Sequence, residues 1–340
     1  MRAFILAGGF ATRLWPLTEK RAKPLLPLAG VPLLTHLVEK IPAGIPITVS
    51  TNAVFAEDFE KWKKCHGERN RTMTQQETSL DYARDDTSIS ILIEDAGHED
   101  EKLGALGAVA KWIQEENIND DVLLLAGDNY MGFSLSSFTE RFNGKPLLAA
   151  YDIRDKDAAK KFGIVITESS IDASGTIRVT GFQEKPADPQ STLVSTGCYI
   201  FPAESLERLV EFSMQHPDNI GGIFEHFLHN GMEVECVSFA EPWFDIGSFE
   251  AYREATKSLV GERVLRGEQV IDRETQFHGS IVLGNHSKIA RSSLTNVVLF
   301  ENCEVEDCVL ENCIVDDDCI LRGVDLSGKM LRAGSRLVRS

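Results

Sequence analysis

Two glycines, an arginine and a lysine near the amino terminus have the types and spacing to hold a polyphosphate. Gly8-Gly9 closes the apolar run Ala3 to Ala7, Arg13 follows, and Lys23 heads the string Lys-Pro-Leu-Leu-Pro. Successive N–H groups in a glycine turn form an anion-binding nest, and the missing Cβ lets a ligand come close to the backbone. A guanidinium and an ammonium in the same loop add positive charge. The competing reading is a plain strand–loop–helix with two solvated basic residues. Carboxylates offer the complementary chemistry. The apolar run Val122 to Ala126 ends in Gly127-Asp128-Asn129. An aspartate at the carboxyl end of a central parallel strand points into the ligand crevice, where it needs a cation or a helix to cap. Trp243-Phe244-Asp245-Ile246-Gly247 carries a second aspartate, whose alternative job is to cap a helix starting near Ser248. Glu184-Lys185-Pro186 sets opposite charges side by side. The proline is expected to hold Lys185 extended and so to fix both side chains. Otherwise such a pair is solvated and worth little.

The elements that must position these groups alternate. Ala3 to Ala7, Ile45 to Ser50, Ser88 to Asp95, Val122 to Asn129 and Pro146 to Ile153 read as strands. Helices are expected from Pro32 to Ile41, from Phe55 to Lys64 and from Leu103, where Gly104 and Gly107 open the next helix. Such alternation predicts βαβ units, a mostly parallel sheet, and ligands beyond the strands' carboxyl ends. Ile164 to Thr167 and Thr176 to Thr180 read as a strand pair joined through the turn sequence Asp-Ala-Ser-Gly. The polar stretch from 66 to 88 carries no assignable pattern.

Composition narrows the class. The chain has 340 residues, long enough for a full core, with 43% hydrophobic and 26% charged residues. Its 35 basic and 52 acidic side chains give a net charge of −17, which argues against nucleic acid or an acidic membrane as the main partner. No apolar run reaches the ~20 residues of a membrane helix, and the chain opens in a strand with no signal segment, so a cytoplasmic protein is expected.

The string Gly8-Gly9-Phe10-Ala11-Thr12-Arg13-Leu14-Trp15-Pro16-Leu17-Thr18, then Lys23-Pro24-Leu25-Leu26-Pro27 and Gly30-Val31-Pro32-Leu33-Leu34, resembles the opening of the sugar-1-phosphate nucleotidylyltransferases. Ala11 stands where that family usually has glycine. The resemblance covers residues 1 to about 255. It implies a Rossmann-like, mostly parallel mixed α/β sheet flanked by helices, and a reaction joining a nucleoside triphosphate to a hexose 1-phosphate. It further implies nucleotide contacts at Leu6, Ala7, Gly8, Gly9, Arg13, Lys23 and Gly104. Ala105 replaces the threonine usual after that glycine. Gly163, Glu184, Lys185 and Thr196 would meet the sugar phosphate, with Ser195 or Thr196 standing for an asparagine common in relatives. Asp128 and Asp245 would hold magnesium, and Arg13, Lys23, Asp128 and Lys185 would act in catalysis. Glucose 1-phosphate with dTTP or UTP is the expected pair. Mannose-1-phosphate guanylyltransferase is the alternative. A nucleotide-sensing regulatory subunit of the same fold is the non-catalytic one.

Beyond about residue 255 the pattern changes. Apolar residues and Cys303, Cys308, Cys313 and Cys319 recur every five or six positions, with acidic residues and asparagines between them. This spacing suits a short parallel β-helix in which the cysteines stack inward as small hydrophobes; several family members carry such a tail, left-handed. The expected domains are 1–255, catalytic, and 256–340, linker and β-helix. Because every candidate phosphate, metal and sugar group precedes Arg266, the tail is expected to be dispensable for chemistry. Its open strand edges are expected to drive self-association into a homo-oligomer.

Overall fold

The structure is a computed structural model and describes residues 1–9, 12–76, 88–95, 103–172 and 175–339. Ala11, residues 77–87 of the polar stretch and the turn residues 173–174 lie outside them. The described chain divides into two compact units that do not follow chain order. One comprises Met1–Gly9 with Leu37–Trp243, the other Phe10–His36 with Phe244–Ser340. The basic loop that follows the glycine turn therefore belongs to the same unit as the carboxyl-terminal tail.

The first unit is built on a nine-stranded mixed sheet. Its parallel half runs Ile89–Glu94, Ile47–Asn52, Arg2–Leu6 and Val122–Ala126 in spatial order. The strand Leu193–Phe201 is antiparallel to Val122–Ala126 on one side and to Leu147–Asp152 on the other. Val234–Phe239 lies parallel to Leu147–Asp152, and the antiparallel pair Ile177–Glu184 and Gly163–Ile171 completes the sheet. The central strands are apolar on both faces. Phe4, Val122, Leu123, Leu124 and Leu125 are fully buried, as strands covered by helices on both sides must be. The helices Ala105–Glu115, Leu206–Ser213 and Ile220–His229 contribute Leu106, Val109, Trp112, Leu209, Phe224 and Phe227 to this core. The helix read from Phe55 to Lys64 spans Ala56–Gln76 and so runs on into the stretch that had no pattern.

The second unit holds the tail. Three parallel sheets stack its short strands, through Ile281–Leu283, Val298–Leu299 and Ile314–Val315 in one sheet, with matching series in the other two. One coil takes 16 residues, the separation between the stacked Asn302 and Asp318. Ile281, Leu294, Val305, Leu310 and Leu321 point inward, together with Cys303, Cys308, Cys313 and Cys319, which are free and at most 2% exposed. The acidic and asparagine residues between them have a backbone reason. His286, Arg291, Asn296, Asn302, Asp307, Asn312 and Asp318 all take positive φ, from +47° to +61°, and Asn and Asp enter that region most cheaply. The side chains also stack from coil to coil, Asn302 Nδ2 donating to Asp318 Oδ1 at 3.1 Å. Val282, Val298 and Ile314 alternate with the inward positions, yet are no more than 4% exposed. The outer face of this sheet is therefore covered too. The helix Phe249–Val260 is tied both to the coils and to the segment that holds Pro27. Arg253 donates to Asn312 Oδ1, and Tyr252 Oη to Pro27 O.

Candidate functional site

In the first unit, strand pairing brings the glycine turn and the first aspartate together. Arg2–Leu6 and Val122–Ala126 are neighbouring parallel strands with Leu6 opposite Ala126, and Gly127 N donates to Leu6 O at 2.8 Å. Gly8-Gly9 and Asp128 thus leave adjacent strands at the same, carboxyl end, where an open α/β sheet binds ligands. The turn is held from below. Asn52 Nδ2 donates to Gly8 O at 3.0 Å, and Glu94 ends the next strand but one with its carboxylate beneath the turn. A Cβ on Gly8 would lie 3.0 Å from Glu94 Oε1, a tight approach to the end of a flexible side chain. Asp128 precedes a strand, Asn129–Met131, so it caps no helix; Ser134 caps the next one. Asn129 Nδ2 instead donates to Asp128 Oδ1 at 2.8 Å and orients the carboxylate. Asn52, Glu94 and Asn129 were not singled out from the sequence. Only Asn129, inside the Gly-Asp-Asn string, carried a readable signal.

Gly104 takes φ +76°, and a Cβ there would lie 2.5 Å from Pro217 O. Packing against residues 217–218 alone demands this glycine. Gly104→Ala is expected to destabilise the protein by about 2 kcal/mol or more, from left-handed strain plus the clash. A melting curve within a degree of the parent would contradict that.

The Glu184-Lys185 pair stands at the end of the Ile177–Glu184 strand, opposite Gly163. A Cβ on Gly163 would lie 2.5 Å from Phe182 Cζ and 3.3 Å from Glu184 Oε2. One on Gly221 would fall on Glu184 Oε2 itself. Two glycines thus clear a slot for this carboxylate, and the first turn of the Ile220–His229 helix places a positive dipole end beside it. The expected extended backbone at Lys185 is not what forms. Lys185 has φ +44°, because its N–H donates to Phe162 O at 3.2 Å and this tertiary bond overrides the bias of the following proline. Lys185 Nζ lies 3.2 Å from Glu184 Oε1, with both side chains partly in solvent. Beneath them Tyr199 Oη and Ser195 Oγ are 2.8 Å apart, and burial pushes the Tyr199 phenol up. Thr196 is 1% exposed, and its hydroxyl donates to Ala149 O at 2.9 Å. Its carbonyl accepts from Trp243 Nε1 at 3.1 Å. The hydroxyls of Ser195 and Thr196 are therefore both engaged within the fold.

In the second unit, Arg13 is exposed in the short helical turn Thr12–Leu14, whereas Lys23 begins the turn Lys23–Leu25 and is only 8% exposed. Lys23 Nζ stands 3.6 Å from Asp245 Oδ1. This is a meeting of two candidate groups 222 positions apart that no local pattern announces. Asp245 does not cap the helix that follows. Ser248 does, its side chain accepting from Ala251 N at 3.1 Å. The structural alternative for each aspartate thus belongs to a neighbouring serine.

A sequence profile of the family described as "Nucleotidyl transferase" matches residues 2–261. The chain is 24% identical to a glucose-1-phosphate thymidylyltransferase of Streptomyces antibioticus, over 99% of this chain and 88% of that one. It is 26% identical to a mannose-1-phosphate guanylyltransferase of Mycobacterium tuberculosis, over 89% and 81%. It is 27% identical to a UTP–glucose-1-phosphate uridylyltransferase of Synechocystis, over 78% and 64%. Among solved structures, a UDP-glucose pyrophosphorylase from Acinetobacter baumanii shares the fold with a TM-score of 0.60 at 20% identity, over 76% of this chain and 93% of that one.

Proposed function

The chain belongs to the nucleotidyl transferase family, and from that premise we propose that it joins a nucleoside triphosphate to a hexose 1-phosphate, releasing pyrophosphate and an NDP-sugar. The observation that carries the proposal is the Gly8-Gly9 turn and Asp128 at the same end of adjacent parallel strands. In this reading the sugar phosphate oxygen attacks the α-phosphorus and pyrophosphate departs from the glycine turn. Leu6, Ala7, Gly8 and Gly9 line the triphosphate with backbone, Arg13 and Lys23 neutralise it, and Gly104 borders the nucleotide. Glu184 accepts from sugar hydroxyls, Gly163 meets the sugar through its backbone, and Lys185 holds the attacking phosphate. Thr196, its hydroxyl on Ala149, serves as the floor of the sugar site. No side chain has to form a covalent intermediate or take a proton, since the nucleophile is already an anion. Catalysis is positioning plus charge stabilisation.

Asp128 and Asp245 suit magnesium by donor chemistry. They are hard oxygen ligands that do not cap helices, and this cation binds through one or two carboxylates plus water and substrate phosphates. Bound there, it would neutralise charge developing on the phosphates. Glucose 1-phosphate with dTTP or UTP is the pair we favour, with GTP and mannose 1-phosphate the alternative; the relatives include both kinds.

Pyrophosphate release across a panel of triphosphates and hexose 1-phosphates tests the reading. Magnesium-dependent release from at least one pair is expected. Silence of the folded protein over the whole panel would leave the nucleotide-sensing alternative in front. Glu184→Gln is expected to weaken use of the sugar phosphate by about ten- to a hundredfold, since hydrogen bonds to a charged group are worth roughly 1.5–3 kcal/mol. The KM for the triphosphate should change little. An equal rise in both KM values would remove Glu184 from the sugar site.

A further inference from the structure

We propose that Arg21, gripped by Asp316 and Asp317 of the β-helix, is a positioning residue that sets Lys23 for the reaction, so that the tail serves catalysis through one guanidinium. This inference rests on the reading of Lys23 given under Proposed function.

The grip is two-handed. Arg21 Nη1 lies 3.3 Å from Asp316 Oδ1, and Nη2 bonds Asp317 Oδ2. The guanidinium carbon also stands 5.2 Å from the centre of the Phe300 ring, so its planar face is packed as well as its edges. The acceptors are themselves fixed by the coils. Glu301 N donates to Asp317 Oδ1 at 2.9 Å, and Asp317 N to Asp316 Oδ1 at 2.9 Å. The Asp316 side chain is 6% exposed, and burial raises its pKa against the pull of Arg21.

Stability alone does not account for this cluster. The Arg21 and Asp317 side chains are 25% and 26% exposed, and a part-buried ion pair adds little beyond its own desolvation. What an Arg–Asp–Asp–Phe arrangement supplies beyond apolar packing is direction. It sits two residues before Lys23, inside a segment fixed on both sides. Glu19 Oε2 meets Arg332 Nε at 2.7 Å upstream, and Pro27 O accepts from Tyr252 downstream. Between these ties the ammonium of Lys23 is buried and held 3.6 Å from Asp245. A buried lysine that must meet a phosphate has little tolerance, since misplacement by about 1 Å can cost on the order of a hundredfold in rate.

The test uses the full chain with Arg21→Met, Arg21→Lys and the double variant Asp316→Asn/Asp317→Asn. The first readout is acylation of Lys23 by a small amine reagent, mapped by mass spectrometry, which needs no turnover. Lys23 in the parent should react slowly. Loss of the charged hydrogen bonds in Arg21→Met and in the double variant should speed it by about tenfold or more, with other lysines unchanged. The second readout is steady-state kinetics. Arg21→Met should lower kcat by about ten- to a hundredfold with little change in KM for the sugar phosphate, while Arg21→Lys, able to engage one carboxylate, recovers part of the loss. Unchanged Lys23 acylation in folded Arg21→Met would overturn the proposal. So would faster acylation with unaltered kcat. If the parent releases no pyrophosphate from any substrate pair, the proposed activity fails, and the acylation rates still decide whether Arg21 positions Lys23.

Discussion

Asp128→Asn and Asp245→Asn are each expected to lower turnover by on the order of a hundredfold or more, with the fold intact. Each exchange keeps the shape and removes one negative charge from the group proposed to hold magnesium, and an amide is a poor ligand for that ion. The local structure argues that the fold will survive. Asp128 leads into a strand rather than a helix, and the helix after Asp245 is capped by Ser248. The two variants should differ in one respect. Exchange at Asp245 would leave Lys23, whose ammonium stands 3.6 Å from that carboxylate, facing a neutral amide. Asp245→Asn should therefore also change the apparent affinity for the triphosphate, beyond the loss of kcat expected of both variants. Excess magnesium should partly rescue either variant. Melting temperatures that fall by about ten degrees, with activity per folded molecule retained, would make both residues structural.

The sequence was legible wherever function or backbone geometry restricts the residue type over a short span. The Gly8-Gly9 turn, Gly-Asp-Asn at a strand end and Glu-Lys-Pro all stand where the alternating pattern places them, because each is fixed by an adjacent strand. The β-helix was legible from inward residues at a step that divides a 16-residue coil, and its asparagines and aspartates mark corners with positive φ. What stayed hidden depends on separations that no local rule spans. Asn52 bonds the glycine turn from a second strand, and Glu94 approaches it from a third. Gly221 clears space for a carboxylate 37 positions earlier in the chain. The backbone of Lys185 was misread because a distant carbonyl, Phe162 O, outweighs the steric bias of the next residue. The partition was hidden for the same reason. Residues 10–36 read as part of the catalytic segment by sequence, yet they share a compact unit with the tail.

Against the expectation that the tail is dispensable, that partition supports a different outcome. A chain ending at Arg266 is expected to lose at least about a hundredfold in turnover, even though it retains every residue proposed to touch substrate. The deletion removes Phe300, Asp316, Asp317, Asn312 and Arg332, which are the partners of Arg21, Arg253 and Glu19 in the second unit. It also takes away Val298 and Phe300, which line a cavity together with Arg21, Pro27 and Pro32. The segment bearing Arg13 and Lys23 would then have lost the ties of Arg21 and Glu19, which help to offset the conformational entropy of about 1–2 kcal/mol per residue that ordering it costs. Subunit count is a separate readout of the same deletion. Leu337 and Val338 are exposed in the strand Arg336–Val338, and we propose that a second copy covers this apolar surface. Light scattering should show an oligomer for the full chain and a monomer for the truncation. Full activity in the truncated chain would place the support of Lys23 within residues 1–266, and an unchanged subunit count would remove the tail from the contact between copies.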